Sequence, residues 1–367
     1  MSESRFIHLQ QLMNQHKIDT IALNPGPTLT YLTGLHFHLM ERPTVLLYQK
    51  GHQPLLVLPE LEEAKLADSR IYLQPVTFND DPSTWQDAFR HVFKHMNLEG
   101  AQIGLESTRM RFMELNYLQM AAPTARFLPA DQVFGDLRIQ KDDEEINEMR
   151  RATAIAQQAL KAILPLIKPG VTEREIATEL TLHLLRSGSD PELPFSPIVA
   201  SGTNSANPHA VPTERQLEDG DLLVIDWGAR SNGYCSDLTR TFAIGHIEPE
   251  FNRLYKTVQQ ANVAGRAAGK PGLPAGEVDR ASRQVIEKAS YGEYFTHRTG
   301  HGLGTDAHES PYIFAGNQLP LAAGMTYTVE PGIYLPERGG VRIEDDMVIT
   351  PDGSESLSDF PRELRIL

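Results

Sequence analysis

The sequence predicts an N-terminal α/β domain with a mixed sheet, followed by an α+β domain whose two halves repeat one another. Three observations carry this. Short apolar runs alternate with helical patterns over the first 130 or so residues; longer helices and then strands follow; and two acid-bearing hairpins recur in the second part. The 367 residues exceed the usual single domain, and 40% hydrophobic content is ample for two cores.

In the first domain, residues 1–130, "IDTIAL", "PTVLLYQ", "PLLVLP", "RIYLQPV", "AQIGLE" and "ARFLPA" read as strands. "PSTWQDAFRHVFKHM" and "MRFMELNYLQMA" read as helices between them. Residues 131–142 read as a linker and 143–367 as the second domain. There, "KDDEEINEMRRATAIAQQALKAILPLIKPG" opens on acids suited to a helix N-terminus and is expected to stop at Pro169-Gly170. Thr172-Glu173-Arg174-Glu175 is a capping box for the next helix. Two more helices are expected at about 248–269 and 275–290, among strands.

A net charge of −14 argues against nucleic acid or anionic membrane as a partner. The polar start, "MSESRFIHLQQLMNQHK", lacks the apolar core of a signal peptide, and no run approaches the roughly 20 apolar residues of a membrane span. A single cysteine, Cys235, allows no intrachain disulfide and no thiolate cluster, and reads as a small strand residue. A soluble cytoplasmic protein is expected.

The chemistry starts at "DWGARSNGYCSD". Asn232-Gly233 suits a two-residue type I′ turn, which would set Asp237 opposite Gly228 and place Asp226 two positions along the same face. The alternative is a pair of solvated acids on an edge. Aspartate is depleted in strands, however, and "LLVIDW" reads as buried, so a metal or a cationic partner would relieve a large cost. The second hairpin, "MTYTVEPGIYLP" returning as "VRIEDDMVIT", carries Glu330 and Glu344. Between the two hairpins lies "HRTGHGLGTDAHESP", whose glycines read as a loop and whose His301 and His308 are candidates for the site. One histidine and four carboxylates make an oxygen-rich set that suits Mn²⁺ or Co²⁺ and admits Zn²⁺.

Together with "PIVASGTNSANPHA", these segments in this order resemble the pita-bread metallopeptidases, the group of methionine aminopeptidase, prolidase, aminopeptidase P and creatinase. The resemblance covers essentially the whole chain and is greatest to the Xaa-Pro peptidases. It implies a creatinase/prolidase-type first domain and a pita-bread second domain with pseudo-twofold halves. It also implies that Asp226, Asp237, His301, Glu330 and Glu344 hold two divalent metal ions, with Asp237 and Glu344 shared or chelating across the pair. His209 and His308 match histidines lining the substrate site, and Arg342 matches an arginine that supports Glu344 and the pocket.

The implied reaction is hydrolysis of the Xaa-Pro bond of short proline-containing peptides by a hydroxide that the two ions generate. Glu330 would pass the proton, His308 would donate to the oxyanion, and His209 would orient the substrate near the leaving group. The resemblance also implies a homodimer, in which the segment of His36 and His38 approaches a neighbouring site; by themselves both read as surface residues. His297 reads as structural. An intact ligand set disfavours a creatinase-like or non-catalytic member that acts on or binds a small non-peptide amine, and the N-terminal domain disfavours methionine aminopeptidase. Tyr312 stands where some prolidases place a carboxylate-binding arginine, which weakens a strict-dipeptidase reading.

Overall fold

The computed structural model describes residues 2–96 and 98–367. The chain divides into two compact units, Met1–Arg138 and Ile139–Leu367.

The first unit runs α1 (Ser2–Gln15), β1 (Thr20–Leu23), α2 (Pro27–Thr33), β2 (Val45–Gln49), β3 (Leu55–Pro59), β4 (Gln74–Phe78), α3 (Trp85–His95), β5 (Gln102–Leu105), α4 (Phe112–Ala121), β6 (Arg126–Pro129) and α5 (Asp131–Arg138). Its sheet has the order β4-β3-β2-β1-β5-β6. The β1–β2 and β2–β3 pairs are antiparallel and the others parallel, which is the mixed sheet expected. The N-terminal helix α1 was not legible as one, because its buried apolar residues among those described form only a narrow stripe of Leu9, Leu12 and Met13. Where a linker is expected from residue 131, α5 instead packs Val133, Phe134 and Leu137 into this unit's core, so the division falls after Arg138.

The second unit repeats one plan. Helices α6 (Asp143–Ile163) and α7 (Glu173–Arg186) precede β7 (Ile198–Ser201), β8 (Leu222–Trp227), β9 (Arg230–Ser231), β10 (Tyr234–Cys235) and β11 (Leu238–Ala243). Helices α8 (Pro249–Ala268) and α9 (Gly276–Lys288) then precede β12 (Gly300–Gly302), β13 (Glu309–Ile313), β14 (Thr326–Val329), β15 (Gly332–Leu335), β16 (Gly339–Arg342), β17 (Asp345–Thr350) and β18 (Gly353–Ser356). In each half the outer strands of a hairpin lie in the main sheet, β8 with β11 and β14 with β17, while its tip strands pair apart, β9 with β10 and β15 with β16. An antiparallel bridge between Thr239 and Glu344 joins the halves.

Local chemistry explains the helices. Asp142 caps α6 and Glu145 answers it, and Thr172 and Glu175 make the same box at α7. Helix α6 stops at Ile163, earlier than expected, because Pro165 has no N–H to continue it and a 3₁₀ turn takes over. Its buried stripe of Ala156, Ala159, Leu160 and Ile163 packs with Leu180, Ile225 and Trp227. Each such buried leucine or isoleucine contributes about 1.5–3 kcal/mol. The Trp227 indole donates to the Ala156 carbonyl at 2.8 Å, which locks β8, and therefore Asp226, to the helix layer. Among the described residues no helix is long and apolar enough to cross a membrane.

Candidate metal centre

The first hairpin keeps a single register from tip to base. Ser231 faces Tyr234, Arg230 faces Cys235, Trp227 faces Leu238 and Asp226 faces Thr239, which sets Asp237 across from Gly228. Asn232 and Gly233 both have positive φ, as a type I′ turn requires. The second hairpin is likewise continuous from Leu335–Gly339 to Thr326–Val348, so Glu330 and Glu344 face each other. At the acids both ladders open. The Asp237 N–H donates to Asp346 Oδ2 at 3.0 Å, the Glu330 N–H to the Thr299 carbonyl at 2.8 Å, and the Glu344 N–H to the Thr239 carbonyl at 3.1 Å.

The "GHG" of 300–302, read above as loop, is strand β12 between β13 and β14. A Cβ on Gly300 would lie 1.9 Å from the Thr328 carbonyl oxygen, and one on Gly302 2.2 Å from that of Ser310. The glycines are there for close strand approach, and they bring His301 into the interior. His301 Nδ1 lies 3.1 Å from the Gly302 carbonyl, which leaves Nε2 to face the acids. Burial lowers its pKa, so Nε2 presents a neutral lone pair.

Single donor atoms of Asp237, His301 and Glu344 all lie within 4.8 Å of one another, and all three residues are buried. Glu330 Oε1 is 3.4 Å and Asp237 Oδ2 3.7 Å from His301 Nε2. Asp226 puts Oδ2 on Arg342 Nη2 at 2.6 Å, while its Oδ1 is buried with no hydrogen-bond partner. Burial, followed by the neighbouring acids, lifts the pKa values of Asp237 and Glu344 well above the carboxylate range. Burial likewise lifts Glu330 to about 7 against the pull of Arg342. Crowded acids, an orphaned carboxylate oxygen and a neutral imidazole are what a cation site requires and what a packed core avoids. The five residues fit a pair of divalent ions.

The surrounding residues divide into those that face the site and those that hold it. His308 is exposed, and its ring lies 4.0 Å from that of His301 at 42°. Burial, and then Arg298, lowers its pKa. His209 is exposed on the segment after β7, within electrostatic reach of both His308 and His297. That segment is tied down by Glu173, a fully buried acid that accepts from Ser201, Asn204 and Thr213 at 2.6–3.1 Å. Arg342 pairs with Asp226 and is linked to Glu344 by hydrogen bonds through Thr239, whose hydroxyl accepts from Arg342 Nε at 3.1 Å and donates to Glu344 Oε2 at 2.6 Å. Its charge also acts on Glu344 directly, against the burial that raises that acid's pKa. Arg342 also donates to the Pro208 carbonyl and to the Tyr334 hydroxyl.

His297 is half-buried against Tyr334, its Nε2 3.0 Å from that hydroxyl and its Nδ1 2.7 Å from the Arg298 carbonyl; desolvation takes its pKa to about 4. Thr239, Tyr334 and Asp346 were not singled out in the sequence. Asp346 carried the same signal as Glu344, an acid within an apolar strand.

Residues 147–351 match metallopeptidase family M24, and residues 5–140 match the Creatinase/Prolidase N-terminal domain. An Xaa-Pro dipeptidase of Lactobacillus helveticus is 34% identical over 98% of this chain and 98% of its own. Among solved structures, a dipeptidase from Pyrococcus horikoshii OT3 superposes with a TM-score of 0.93 at 38% identity, covering 99% of this chain and all of its own. A prolidase from Thermococcus sibiricus gives 0.95 at 34% identity, covering both chains completely. The chain belongs to metallopeptidase family M24. Its second unit is the pita-bread domain and its first the creatinase-type domain of that family.

Proposed function

We propose that the protein hydrolyses the Xaa-Pro bond of dipeptides, using two divalent ions held by Asp226, Asp237, His301, Glu330 and Glu344. The observation that carries this reading is the cluster of Asp237, Glu330 and Glu344 around His301, in a family of metallopeptidases whose similar members include an Xaa-Pro dipeptidase and a prolidase. When bound, such a pair of ions polarises a carbonyl and supplies a nucleophile near neutral pH.

The chain's own groups account for the rest. Glu330 lies among the other proposed ligands, its Oε1 3.4 Å from His301 Nε2, and bound ions would hold it as a carboxylate. It can therefore take a proton at its carboxylate and return it to the leaving nitrogen. That return matters for proline, whose imide nitrogen has no N–H and must gain one as the bond breaks. His308, held neutral and tilted against the His301 ring, donates a hydrogen bond to the oxygen on which negative charge grows. His209, on the segment that Glu173 ties down, orients the substrate from the side of the leaving group.

The absence of an arginine at Tyr312 is offset nearby. The Arg298 guanidinium lies 4.5 Å over the Tyr312 ring and offers a cation for a dipeptide's free carboxylate. Mn²⁺ or Co²⁺ suits the oxygen-rich ligand set, and a single cysteine suits a cytoplasmic setting.

Chelator-stripped protein is expected to lose Xaa-Pro cleavage and regain it with Mn²⁺ or Co²⁺. Full activity in chelator would overturn the metal mechanism. Xaa-Pro is expected to be cleaved far faster than Xaa-Pro-Yaa when the two are assayed side by side; equal rates would refute the preference for dipeptides.

A further inference from the structure

Next to Glu344, the adjacent acid has wholly different surroundings. Asp345 is fully buried, and its carboxylate accepts from Arg240 Nη2 at 2.9 Å, Arg362 Nε and Nη2 at 2.7 and 2.8 Å, Ser358 Oγ at 2.6 Å and Asn262 Nδ2 at 3.0 Å. Arg266 Nε adds a third guanidinium at 3.6 Å. Burial works to raise the Asp345 pKa, but Arg240, Arg362 and Ser358 outweigh it and hold the group ionised.

Arg240 is itself buried and directs its remaining donors at backbone. Nη1 reaches the carbonyls of Thr239 at 2.8 Å and Glu344 at 2.6 Å, Nη2 that of Phe360 at 2.8 Å, and Nε that of Pro361 at 2.9 Å. Thr239 and Glu344 are the residues whose bridge joins the two halves of the unit, and the Thr239 hydroxyl orients the Glu344 carboxylate. A single arginine therefore grips both sides of the seam at the point where Glu344 is presented. Arg362 reaches the same acid from the C-terminal segment and also bonds Ser356 and the Ser358 carbonyl there. Stability alone is a weak reason to bury such a cluster, since well-packed apolar residues serve as well or better. A fixed, bidentate frame for a neighbouring ligand is a better one.

We propose that Arg240, Asp345 and Arg362 form a clamp that positions Glu344 for metal binding, with the C-terminal segment 356–362 as its outer arm. These are positioning residues, and the proposal rests on the metal-centre reading above.

The test is Mn²⁺ binding by calorimetry, with the visible absorption of the Co²⁺-loaded protein, on the full chain. Arg362→Met is expected to bind Mn²⁺ about 10-fold more weakly and to shift the Co²⁺ spectrum. Arg362→Lys should recover part of the loss. Leu56→Ala, a core change in β3 of the first unit, should lower thermal stability and leave affinity unchanged. A folded Arg362→Met with native affinity and spectrum overturns the clamp, and so does an equal loss of affinity in Leu56→Ala. If Arg362→Met does not fold, Arg362→Lys and Ser358→Ala carry the test, and unchanged affinity in both overturns it. A native protein that binds neither ion removes the metal centre itself, a separate and recognisable outcome.

Discussion

Asp237→Asn is expected to lower Xaa-Pro hydrolysis by more than about 100-fold, since even partners outside the ligand shell are worth 10–100-fold. The substitution is nearly isosteric. The Asp237 backbone N–H to Asp346 survives it, and so does the register set by Leu238 and Thr239. What it removes is one negative charge from a buried group whose pKa burial, Glu344 and Asp226 drive upward. Without metal, the group either keeps a proton or repels its neighbours. The metal-free variant should therefore melt no lower than the metal-free native protein, whereas addition of Mn²⁺ should raise its melting temperature far less. Opposite effects on stability and activity separate a ligand from a structural acid. A fully active Asp237→Asn would take this residue out of the site, and a variant that melts lower without metal would contradict the account of repulsion.

Much of this arrangement could be read before any coordinates, and the reason is local. A two-residue Asn-Gly turn admits one register, so the relation of Asp226 to Asp237 followed from twelve consecutive residues. The capping box of α7 and the acidic start of α6 were equally local. Features that depend on distant chain were not legible. The glycines beside His301 read as a loop in sequence, yet the space they leave is filled by the backbones of Thr328 and Ser310. Arg342 was tied to Glu344, two residues away, but its direct ion pair with Asp226, 116 residues earlier, was not legible. Three successive acids, Glu344, Asp345 and Asp346, look alike in "RIEDDM". They differ only in what packs against them: Thr239, a set of arginines, and the Asp237 N–H.

The pH dependence of stability should change between the metal-free and metal-loaded states. In the metal-free protein Glu330 titrates near 7 rather than at its ordinary 4.5, and Asp237 and Glu344 are shifted in the same direction. Between about 4.5 and 7 the unfolded chain has lost protons that the folded chain keeps. These carboxylates therefore make stability fall as pH rises, by about 1.4 kcal/mol per pH unit for each such group. His301, His297 and His308 oppose them up to about 6.5, because each is held more neutral in the folded chain than in the unfolded one, and this opposing contribution is shared by the metal-free and metal-loaded states. Asp345 stays ionised beneath its arginines, while Asp346, raised by its own burial, keeps its proton. Bound divalent ions hold Glu330, Asp237 and Glu344 ionised, so loading must expel protons and the affinity must rise with pH. The gap in melting temperature between the protein in excess Mn²⁺ and in chelator should consequently widen from pH 5 to about 7 and then level off. Calorimetry in buffers of different ionisation enthalpy should detect net proton release on Mn²⁺ binding at pH 6. A gap that stays constant with pH, or binding without proton release, would mean that these carboxylates are already ionised, and the crowding inferred for the site would be wrong.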